Sequence, residues 1–420
     1  MLSGYDVICI SSIDWGFIWQ GHQEIMARLA AAGNRVLFIE NTGVRPPMRR
    51  DLPRVLQRLR NWRRGRGGFR LERPNLWVWA PLALPLPYSR LAVRLNQALL
   101  RSVLRRWLHR HGWGRPLVWT FLPTPLARAL IRALDPRLVV YYCIDDLASS
   151  SPGARPIVAS ERQLFREADL VFVTSERLRA RAARHARAVH LFPFAVNYAQ
   201  FAAAREDPAP PPADLAALPR PIIGYLGGLH QWVDQDLLAT VARRLPHCSF
   251  ALVGPAQVDV SRLAALPNVH LLGARPHTVV PDYLKGFDVA LVPYKLADYT
   301  AHVYPTKLNE YLALGLPVVC TDLFEIRRFN ATHGPTVAIA RDAEEYVAAI
   351  NRALQPAPAA VIAHRLAVAQ ENSWEVRLAA MSALIAAHLR HPGAAAPAVH
   401  SAHPNGRTGS SQQTRRGAGG

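Results

Sequence analysis

A short segment between Tyr304 and Pro317 combines residue types suited to holding a phosphorylated ligand. Thr306 stands where it can cap a helix, and the first turn of a helix exposes unpaired N–H groups that favour an anion. Lys307 adds a point positive charge suited to a diphosphate. Glu310 follows three residues later on nearly the same helix face, where its carboxylate can accept hydrogen bonds from the two hydroxyls of a ribose. The segment therefore predicts a nucleotide-diphosphate site.

A glycine pair follows an apolar run that predicts a strand at Ile222–Leu226. Gly227 and Gly228 have no Cβ atom, so the backbone there can approach phosphate groups closely. The run Gly224-x-x-Gly227-Gly228 lacks the Gly-x-Gly-x-x-Gly spacing of a nicotinamide-dependent oxidoreductase. The glycine pair therefore favours phosphate binding and speaks against that class of enzyme.

The composition bounds the class of protein. At 420 residues, half of them hydrophobic, the chain is long enough for two packed domains. The four cysteines are scattered, and Cys9, Cys143 and Cys320 lie in apolar runs, which predicts buried free thiols instead of disulfides or zinc ligands. The net charge is +20, and 47 of the 50 basic residues are arginines. This arginine bias carries little functional information, but it makes the retained Lys307 notable.

Short apolar runs alternate with amphipathic stretches along most of the chain. Asp6–Ser11 and Leu138–Ile144 are among the predicted buried strands, and Gln23–Ala32 and Ala180–Ala186 are among the predicted helices. Such alternation favours a mostly parallel, doubly wound sheet. The proline- and alanine-rich stretch 207–221 interrupts the alternation, so we predict two such domains joined by a linker.

The predicted fold class is α/β, with two doubly wound Rossmann-like domains that face a cleft. The predicted order is an amino-terminal domain at residues 1–206, a linker at 207–221, a second domain at 222–372, a helix at 373–390 and a disordered tail at 391–420. Doubly wound sheets bind ligands outside the carboxyl ends of their strands, so the cleft is the expected site.

The segment Thr306-Lys-Leu-Asn-Glu-Tyr-Leu-Ala-Leu-Gly-Leu-Pro-Val-Val319 resembles the donor-site helix and strand of GT-B glycosyltransferases, with their pattern Glu-(Ala/Tyr)-x-Ala-x-Gly-x-Pro-Val-Val. Ile223–Gly228, Leu252–Gly254 and Phe194–Phe201 resemble further segments of that family. The chain is similar to group 1 members, with features of the xanthan-type glucuronosyltransferases. Asp14-Trp15 with Gln20-Gly-His-Gln23 resembles a polysaccharide-assembling subgroup.

The resemblance implies the GT-B architecture, with the last helix crossing back onto the first domain. It also implies transfer of a sugar from a nucleotide-diphosphate sugar to a saccharide or lipid-linked saccharide acceptor in bacterial-type surface polysaccharide synthesis. The backbone around Ala274–Pro276 is expected to contact the nucleobase. No cofactor and no metal ion are expected, because Lys307 and a helix start can hold a diphosphate without a divalent ion. The predicted donor-binding residues are Gly227, Gly228, Arg275, His302, Tyr304, Thr306, Lys307 and Glu310.

One position departs from the family pattern. Many retaining members carry a further glutamate eight residues before the equivalent of Glu310, and His302 stands there instead. The xanthan-type enzymes, which invert, also have a non-acidic residue before the lysine, so retention and inversion both stay open. An inverting enzyme needs a general base, and the resemblance places it at Asp145, whereas a retaining enzyme could dispense with that base. The alternative is that Asp145 or Asp146 caps the next segment.

His22 is the second candidate catalytic residue, since it follows the first predicted strand at the cleft and could contact acceptor or sugar; a structural role is the alternative. Trp15, Trp19 and Trp232 could stack on sugar rings, although tryptophan is more often buried. Asp234 suits a helix cap as well as a ligand role.

The stretch from Arg45 to Arg73 contains 11 arginines and two acids. Its leucines, a valine and Trp62 recur at helical spacing, which predicts a basic amphipathic helix suited to an anionic membrane surface. A solvated arginine-rich loop is the alternative. A second basic stretch, Arg90–Arg115, carries Leu91, Leu95 and Leu99 on a stripe that is expected to face the core. The predicted membrane-facing residues are Arg58, Trp62, Arg63 and Arg64.

The expected location is cytoplasmic and peripheral on the inner face of the plasma membrane, because the sequence shows neither a signal-like leader nor an apolar run of about 18 residues. Two other functions compete with sugar transfer. A nucleotide-sugar epimerase shares the GT-B architecture. The net positive charge suggests nucleic-acid binding, but the sequence has no helix-turn-helix, zinc or RNP-like signature, so nucleic acid is not an expected partner.

Overall fold

The computed structural model describes residues 1–44 and 68–391. An amino-terminal sheet forms from the apolar runs as expected, since their side chains are almost wholly buried on both faces. Its order is β3-β4-β2-β1-β5-β6-β7-β8, and all pairs are parallel except β3 with β4. The strands are β1 (Asp6–Ile10), β2 (Arg35–Ile39), β3 (Phe69–Arg73), β4 (Leu76–Trp79), β5 (Leu117–Thr120), β6 (Leu138–Cys143), β7 (Leu170–Val173) and β8 (Val189–Leu191).

Helices connect these strands and cover the sheet. The side chains of Ser89, Thr124 and Ser175 each accept a hydrogen bond from a backbone N–H in the first turn and so begin three of them. The described helices up to residue 206 are α1 (Gly21–Ala31), α2 (Arg90–Arg110), α3 (Pro125–Leu134), α4 (Ile157–Glu167), α5 (Glu176–Ala182) and α6 (Tyr198–Glu206).

The carboxyl-terminal sheet is parallel throughout, in the order β11-β10-β9-β12-β13-β14. Its strands are β9 (Ile222–Leu226), β10 (Ser249–Val253), β11 (Val269–Gly273), β12 (Val289–Val292), β13 (Val318–Thr321) and β14 (Ala338–Ala340). The helices are α7 (Ala213–Ala216), α8 (Gln235–Arg244), α9 (Ser261–Ala264), α10 (Val280–Leu284), α11 (Lys307–Ala313), α12 (Phe324–His333), α13 (Ala343–Ala353), α14 (Ala359–Glu371) and α15 (Trp374–Arg390).

Each sheet reverses its strand order at one place, between β1 and β5 in the first sheet and between β9 and β12 in the second. A crevice opens at the carboxyl ends of the strands where the order reverses. Gly227 follows β9 and Tyr294 follows β12, so the second reversal point carries the predicted glycine pair. The predicted fold class of two doubly wound sheets is confirmed.

Two helices pack on the core of the other domain, not on the domain in which their sequence position places them. Phe201 of α6 is fully buried in the carboxyl-terminal core, and Trp374 and Met381 of α15 are buried in the amino-terminal core. The domain boundary predicted at residue 206 therefore lies before α6 instead. The predicted linker is packed as well, because Leu215 of α7 is fully buried in the carboxyl-terminal core.

Several elements differ from the sequence predictions. The helix expected at Ala180–Ala186 is α5, which begins four residues earlier, at Glu176, after its Ser175 cap and ends at Ala182. Strands β3, β8 and β14 were not predicted; they are edge strands, and β8 and β14 have only three residues each, too few for a clear apolar run. The apolar stripe of α2 was expected to face the core, and this is wrong for its first half: Leu91, Leu95 and Leu99 are exposed.

All four cysteines are buried and free, as predicted for the three in apolar runs. Among the described residues, no helix is both long and apolar enough to cross a membrane. The predicted membrane-facing residues Arg58, Trp62, Arg63 and Arg64, and the predicted tail from residue 392 onward, lie outside the described residues.

Candidate donor and catalytic site

Lys307 is buried at the start of α11, with 7% of its surface exposed. Its ammonium group lies 5.2 Å from the ring centroid of Tyr225 and 4.7 Å from that of Tyr294, and it donates a hydrogen bond to the Tyr294 hydroxyl. Among the residues that the structure describes, no carboxylate forms an ion pair with Lys307. The positive charge of a buried ammonium group that contacts only aromatic rings and a phenol is not neutralised by these neighbours. An anionic ligand would neutralise this charge.

The loop after β9 brings backbone up to this lysine. The Gly227 N–H donates to the Val253 carbonyl at 2.8 Å, and Gly227 has φ of +129°. A Cβ atom on Gly227 would stand 3.2 Å from Lys307 Cε. At Gly254, with φ of +152°, a Cβ atom would meet the Gly227 carbonyl oxygen at 2.1 Å. Both glycines are therefore needed for the loop to pack beside Lys307.

The start of α11 differs in one respect from the prediction. Thr306 precedes the helix, but it has helical φ and ψ angles and its side chain makes no capping hydrogen bond. Thr306 is exposed and lacks the extended backbone that a capping residue adopts. The predicted cap is wrong, and Lys307 carries the positive charge of the site. Gly315, with φ of +74°, ends the helix as expected.

Glu310 lies one turn after Lys307 and is paired with His277. The His277 Nε2 atom is 3.7 Å from Glu310 Oε1, and 19% of the Glu310 side chain is exposed. Burial lowers the pKa of His277, but the hydrogen bond and charge of Glu310, with the charge of Glu24, outweigh burial and raise it. Glu310 is thus partly exposed beside His277, and its contact with a ribose stays a prediction.

An aromatic stack lines the cleft beside the glycine loop. The His230 ring stacks on Trp232 at 3.9 Å between centroids, and Trp232 lies 5.0 Å from Tyr299. Burial and then the charge of Lys307 lower the pKa of His230 to about 4, so its ring is neutral near pH 7. Of the three tryptophans proposed for sugar stacking, Trp15 is buried in the core, whereas Trp232 stays partly exposed here.

Asp145 lies on the opposite wall, two residues after β6 ends at Cys143. Its side chain is partly exposed, and among the described residues no side chain donates a hydrogen bond to its carboxylate. Burial and then the charge of Asp146 raise its pKa to about 7. Burial and then the charge of Asp145 raise the pKa of Tyr299 well above its ordinary value, so Tyr299 lies within range of the charge of that carboxylate. A carboxylate of this pKa suits a general base near neutral pH.

Asp146 is held by a buried ionic cluster behind the cleft wall. Arg181 donates to Asp146 at 2.6 Å and to Glu161 at 3.2 Å, and Tyr141 donates to Glu161 at 2.7 Å. Glu161 is 4% exposed. Neither Asp145 nor Asp146 caps the next segment, because the turn Leu147–Ser150 begins without a side-chain cap. The cluster ties α4 and α5 to the turn that carries Asp145.

We expect Arg181→Met to lower the free energy of unfolding by about 2–4 kcal/mol, because it leaves the Glu161 and Asp146 carboxylates without their counter-charge. Urea denaturation followed by circular dichroism would measure this. Arg184→Met, at an exposed arginine just after α5, is the matched control and should be within about 0.5 kcal/mol of wild type. Equal stability of the two variants would show that the cluster does not hold the turn.

Other predicted site residues lie apart from this centre or are buried. His22 is fully buried, with Ser12 Oγ 3.0 Å from its Nε2 atom and its ring 4.0 Å from Phe121. Burial lowers its pKa to about 3. Tyr304 is buried and donates to Asn309 at 3.1 Å, and His302 Nδ1 is 2.8 Å from the Asp298 carbonyl oxygen.

Arg275 and Asp234 serve local structure. The Arg275 guanidinium donates to the Tyr283 hydroxyl at 2.6 Å, to the Asp214 carboxylate at 2.6 Å and to the Ala274 carbonyl oxygen at 3.2 Å, so the side chain is held by local partners. The contact of this backbone with a nucleobase stays a prediction. Asp234 caps α8 by accepting from the Leu237 N–H at 3.0 Å.

Sequence reasoning missed Tyr294, Tyr299, His230 and Arg181. Tyr294 lies two residues after the buried strand β12, so its position at the carboxyl end of a strand was visible in the sequence. The others had no such signal. Within residues 1–44 and 68–391, no group of three His, Cys, Asp or Glu side chains could hold a metal ion.

Residues 220–356 match the family model described as glycosyl transferases group 1. TuaH of Bacillus subtilis (strain 168), a protein whose name assigns it to teichuronic acid biosynthesis as a glycosyltransferase, is 30% identical over 202 residues, which is 44% of this chain and 50% of TuaH. The chain thus spans about half the length of this relative in the match.

Solved structures with GT-B architecture resemble nearly the whole chain. Sucrose-phosphate synthase from Thermosynechococcus elongatus is 20% identical with a TM-score of 0.65, covering 92% of this chain and 99% of that one. The Anabaena protein HepE, solved with UDP and glucose, is 13% identical with a TM-score of 0.62, covering 92% and 100%. A glycosyltransferase from Rickettsia africae is 12% identical with a TM-score of 0.62, covering 93% and 100%. The predicted resemblance to the GT-B fold is confirmed.

Proposed function

We propose that this protein is a glycosyltransferase that moves a sugar from a nucleotide-diphosphate sugar to a saccharide or lipid-linked saccharide acceptor. The observation that carries the proposal is the buried Lys307, which has aromatic neighbours and a glycine loop beside it and no carboxylate partner among the described residues. A diphosphate complements such a charge. The match of residues 220–356 to group 1 glycosyl transferases supports the same activity.

The donor lies, in this proposal, with its diphosphate between Lys307 and the Gly227–Gly228 loop. Glu310 accepts hydrogen bonds from the ribose, and the backbone at Ala274–Pro276 contacts the base. The sugar then extends toward the stack of His230, Trp232 and Tyr299, because that stack lies beside the glycine loop and Tyr299 is within range of the charge of Asp145. Aromatic faces suit the apolar side of a sugar ring.

Asp145 is the general base of the proposed reaction. Its carboxylate takes the proton of the acceptor hydroxyl while the hydroxyl oxygen forms a bond to the anomeric carbon of the sugar. The bond from that carbon to the diphosphate oxygen breaks, and Lys307 stabilises the negative charge on the leaving diphosphate. This single displacement inverts the anomeric centre. The placement of Asp145 favours inversion over retention, which the sequence left open.

The biological setting follows from the relatives and from the charge of the chain. We propose that the acceptor belongs to surface polysaccharide synthesis, as the name of TuaH says of that protein. The enzyme acts at the cytoplasmic side of an anionic membrane, which fits a net charge of +20. No metal ion or other cofactor is part of the proposal.

Thermal-shift measurements with the five common nucleoside diphosphates and their sugar conjugates test the proposal. A bound donor stabilises the folded state by mass action, about 2.7 kcal/mol at 100 times its dissociation constant. We expect one base to raise the melting temperature by several degrees, with the free nucleoside and inorganic phosphate as controls. If no nucleotide shifts the melting temperature, the proposed donor site is wrong. An altered sugar released without transfer would indicate an epimerase instead.

A further inference from the structure

The outward face of α2 exposes three leucines one helical turn apart. Leu91 is 67% exposed, Leu95 is 53% exposed and Leu99 is 57% exposed. They lie on the side of the helix opposite to Leu100 and Leu104, which are buried in the amino-terminal core. Exposed leucines scattered singly are ordinary, but a contiguous stripe on one helix face marks a contact surface.

The loop before α2 exposes two further leucines. Leu84 and Leu86, just before α2, are 49% and 52% exposed. Asn96 of α2 pins this loop, since its side chain accepts from the Leu84 N–H at 2.8 Å and donates to the Leu84 carbonyl at 3.1 Å. The loop is therefore held against α2. We call the exposed stripe of Leu91, Leu95 and Leu99 the leucine face.

The leucine face is bordered by positive charge. α2 contains Arg94, Arg101, Arg105 and Arg106, all exposed, and no Asp or Glu in its 21 residues. Basic side chains around an apolar stripe are the pattern of a helix that lies in the interface of an anionic membrane, where the leucines enter the acyl boundary and the arginines meet the headgroups. An apolar groove on a partner protein would not need so many positive charges beside the leucines, whereas an anionic membrane complements them.

The position of the leucine face relates it to the cleft. The Tyr88 hydroxyl, between the loop and α2, donates to the Val44 carbonyl at 2.6 Å. Val44 is the last described residue before the basic stretch that was predicted to meet a membrane. The same hydroxyl is 3.5 Å from the Ala154 carbonyl oxygen, in the segment that follows the Asp145 turn. The amino-terminal end of α2, where the leucine face begins, is thus tied through Tyr88 to the segment that follows the Asp145 turn.

We propose that the leucine face of α2 is a membrane-docking surface that inserts into anionic lipid and presents the Asp145 wall of the cleft to the bilayer. The inference extends the membrane partner of the proposed function to a defined surface. It does not depend on sugar transfer, because lipid binding is measured without turnover.

Vesicle flotation of the full-length protein tests this surface. We use vesicles of phosphatidylcholine alone and vesicles with about one third phosphatidylglycerol. Wild type should float only with the anionic vesicles, and Leu91→Ser/Leu95→Ser/Leu99→Ser should weaken that binding by roughly tenfold or more. Arg94→Gln/Arg101→Gln/Arg106→Gln should weaken it too and remove its salt sensitivity. The matched control is Val361→Ser/Ile362→Ser, which alters exposed apolar residues of α14, 40% and 39% exposed, and should leave flotation unchanged.

Three results would overturn the docking surface. The first is that the triple leucine variant floats as well as wild type while Arg58→Gln/Arg63→Gln/Arg64→Gln does not, which would place membrane contact in the basic stretch alone. The second is that the leucine variant floats normally but loses self-association in analytical ultracentrifugation, which would assign the face to a second copy. The third is that wild type does not float. Nucleotide thermal shifts on the same variants separate this inference from the proposed function, since each can fail while the other holds.

Discussion

Lys307→Ala is expected to weaken the binding of nucleoside diphosphates by roughly 10- to 100-fold. A hydrogen bond to a charged group contributes about 1.5–3 kcal/mol, and about 1.4 kcal/mol corresponds to a tenfold change in affinity. The upper part of this range applies because Lys307 is buried between Tyr225 and Tyr294, where water screens its charge poorly. Isothermal titration with the nucleotide found by thermal shift would measure the change.

The matched control for this variant is Lys295→Ala. Lys295 follows Tyr294 directly and is exposed, so its loss removes the same net charge nearby without touching the buried pocket. Its affinity should stay within about twofold of wild type, because exposed charges are strongly screened. If both variants bind nucleotide like wild type, or lose affinity equally, Lys307 does not hold the diphosphate.

Asp145→Asn is expected to lower turnover by roughly 100- to 10,000-fold, the range for loss of a positioned general base. Donor affinity should not change, because Asp145 lies on the wall opposite Lys307. Release of nucleoside diphosphate from the donor, in the presence of acceptor-containing membranes, would measure turnover. Asp298→Asn, at an exposed acid of the facing loop, is the control and should keep its activity. Near-normal turnover of Asp145→Asn would exclude the base assignment and leave retention as the better mechanism.

The raised pKa of Asp145 also predicts a dependence on pH. Since burial and Asp146 raise it to about 7, kcat/KM should rise with pH up to about 7 and then level off as the carboxylate ionises. The folded protein keeps this proton at pH values where the unfolded chain has lost it, so wild type loses stability as the pH rises from about 4 to about 7.

Asp145→Asn has no ionisable group at this position, so it does not lose stability as the pH rises from about 4 to about 7. At pH 8 it should be more stable than wild type by about 1–3 kcal/mol, a range reduced for partial solvent exposure of the carboxylate. Below about pH 4 the two proteins should be equally stable, because the carboxyl group is then protonated in both states. Thermal melts at the two pH values measure the difference. A variant that is less stable than wild type at pH 8 would contradict a raised pKa.

The sequence determined the two sheets and the glycine loop, because both depend on local pattern. Ile222–Leu226 is a continuous apolar run followed by Gly227 and Gly228, and such runs become strands buried on both faces wherever helices cover the sheet. Lys307 was identifiable for a similar reason, since a short contiguous segment carried its resemblance. A site whose residues are consecutive in the sequence can be identified before the structure is known.

The tertiary structure alone decided which distant residues share a site. Arg181 meets Asp146 across 35 positions, and Tyr294 reaches Lys307 across 13, so no local spacing announced either contact. The tertiary structure also decided which face of α2 is exposed to solvent. The periodicity shows a stripe at Leu91, Leu95 and Leu99, but only the neighbours of the helix determine whether that stripe is covered. Whether a side chain is buried depends on all the elements that pack around it. Sequence periodicity shows which side chains share a face of a helix, but not which element packs against that face.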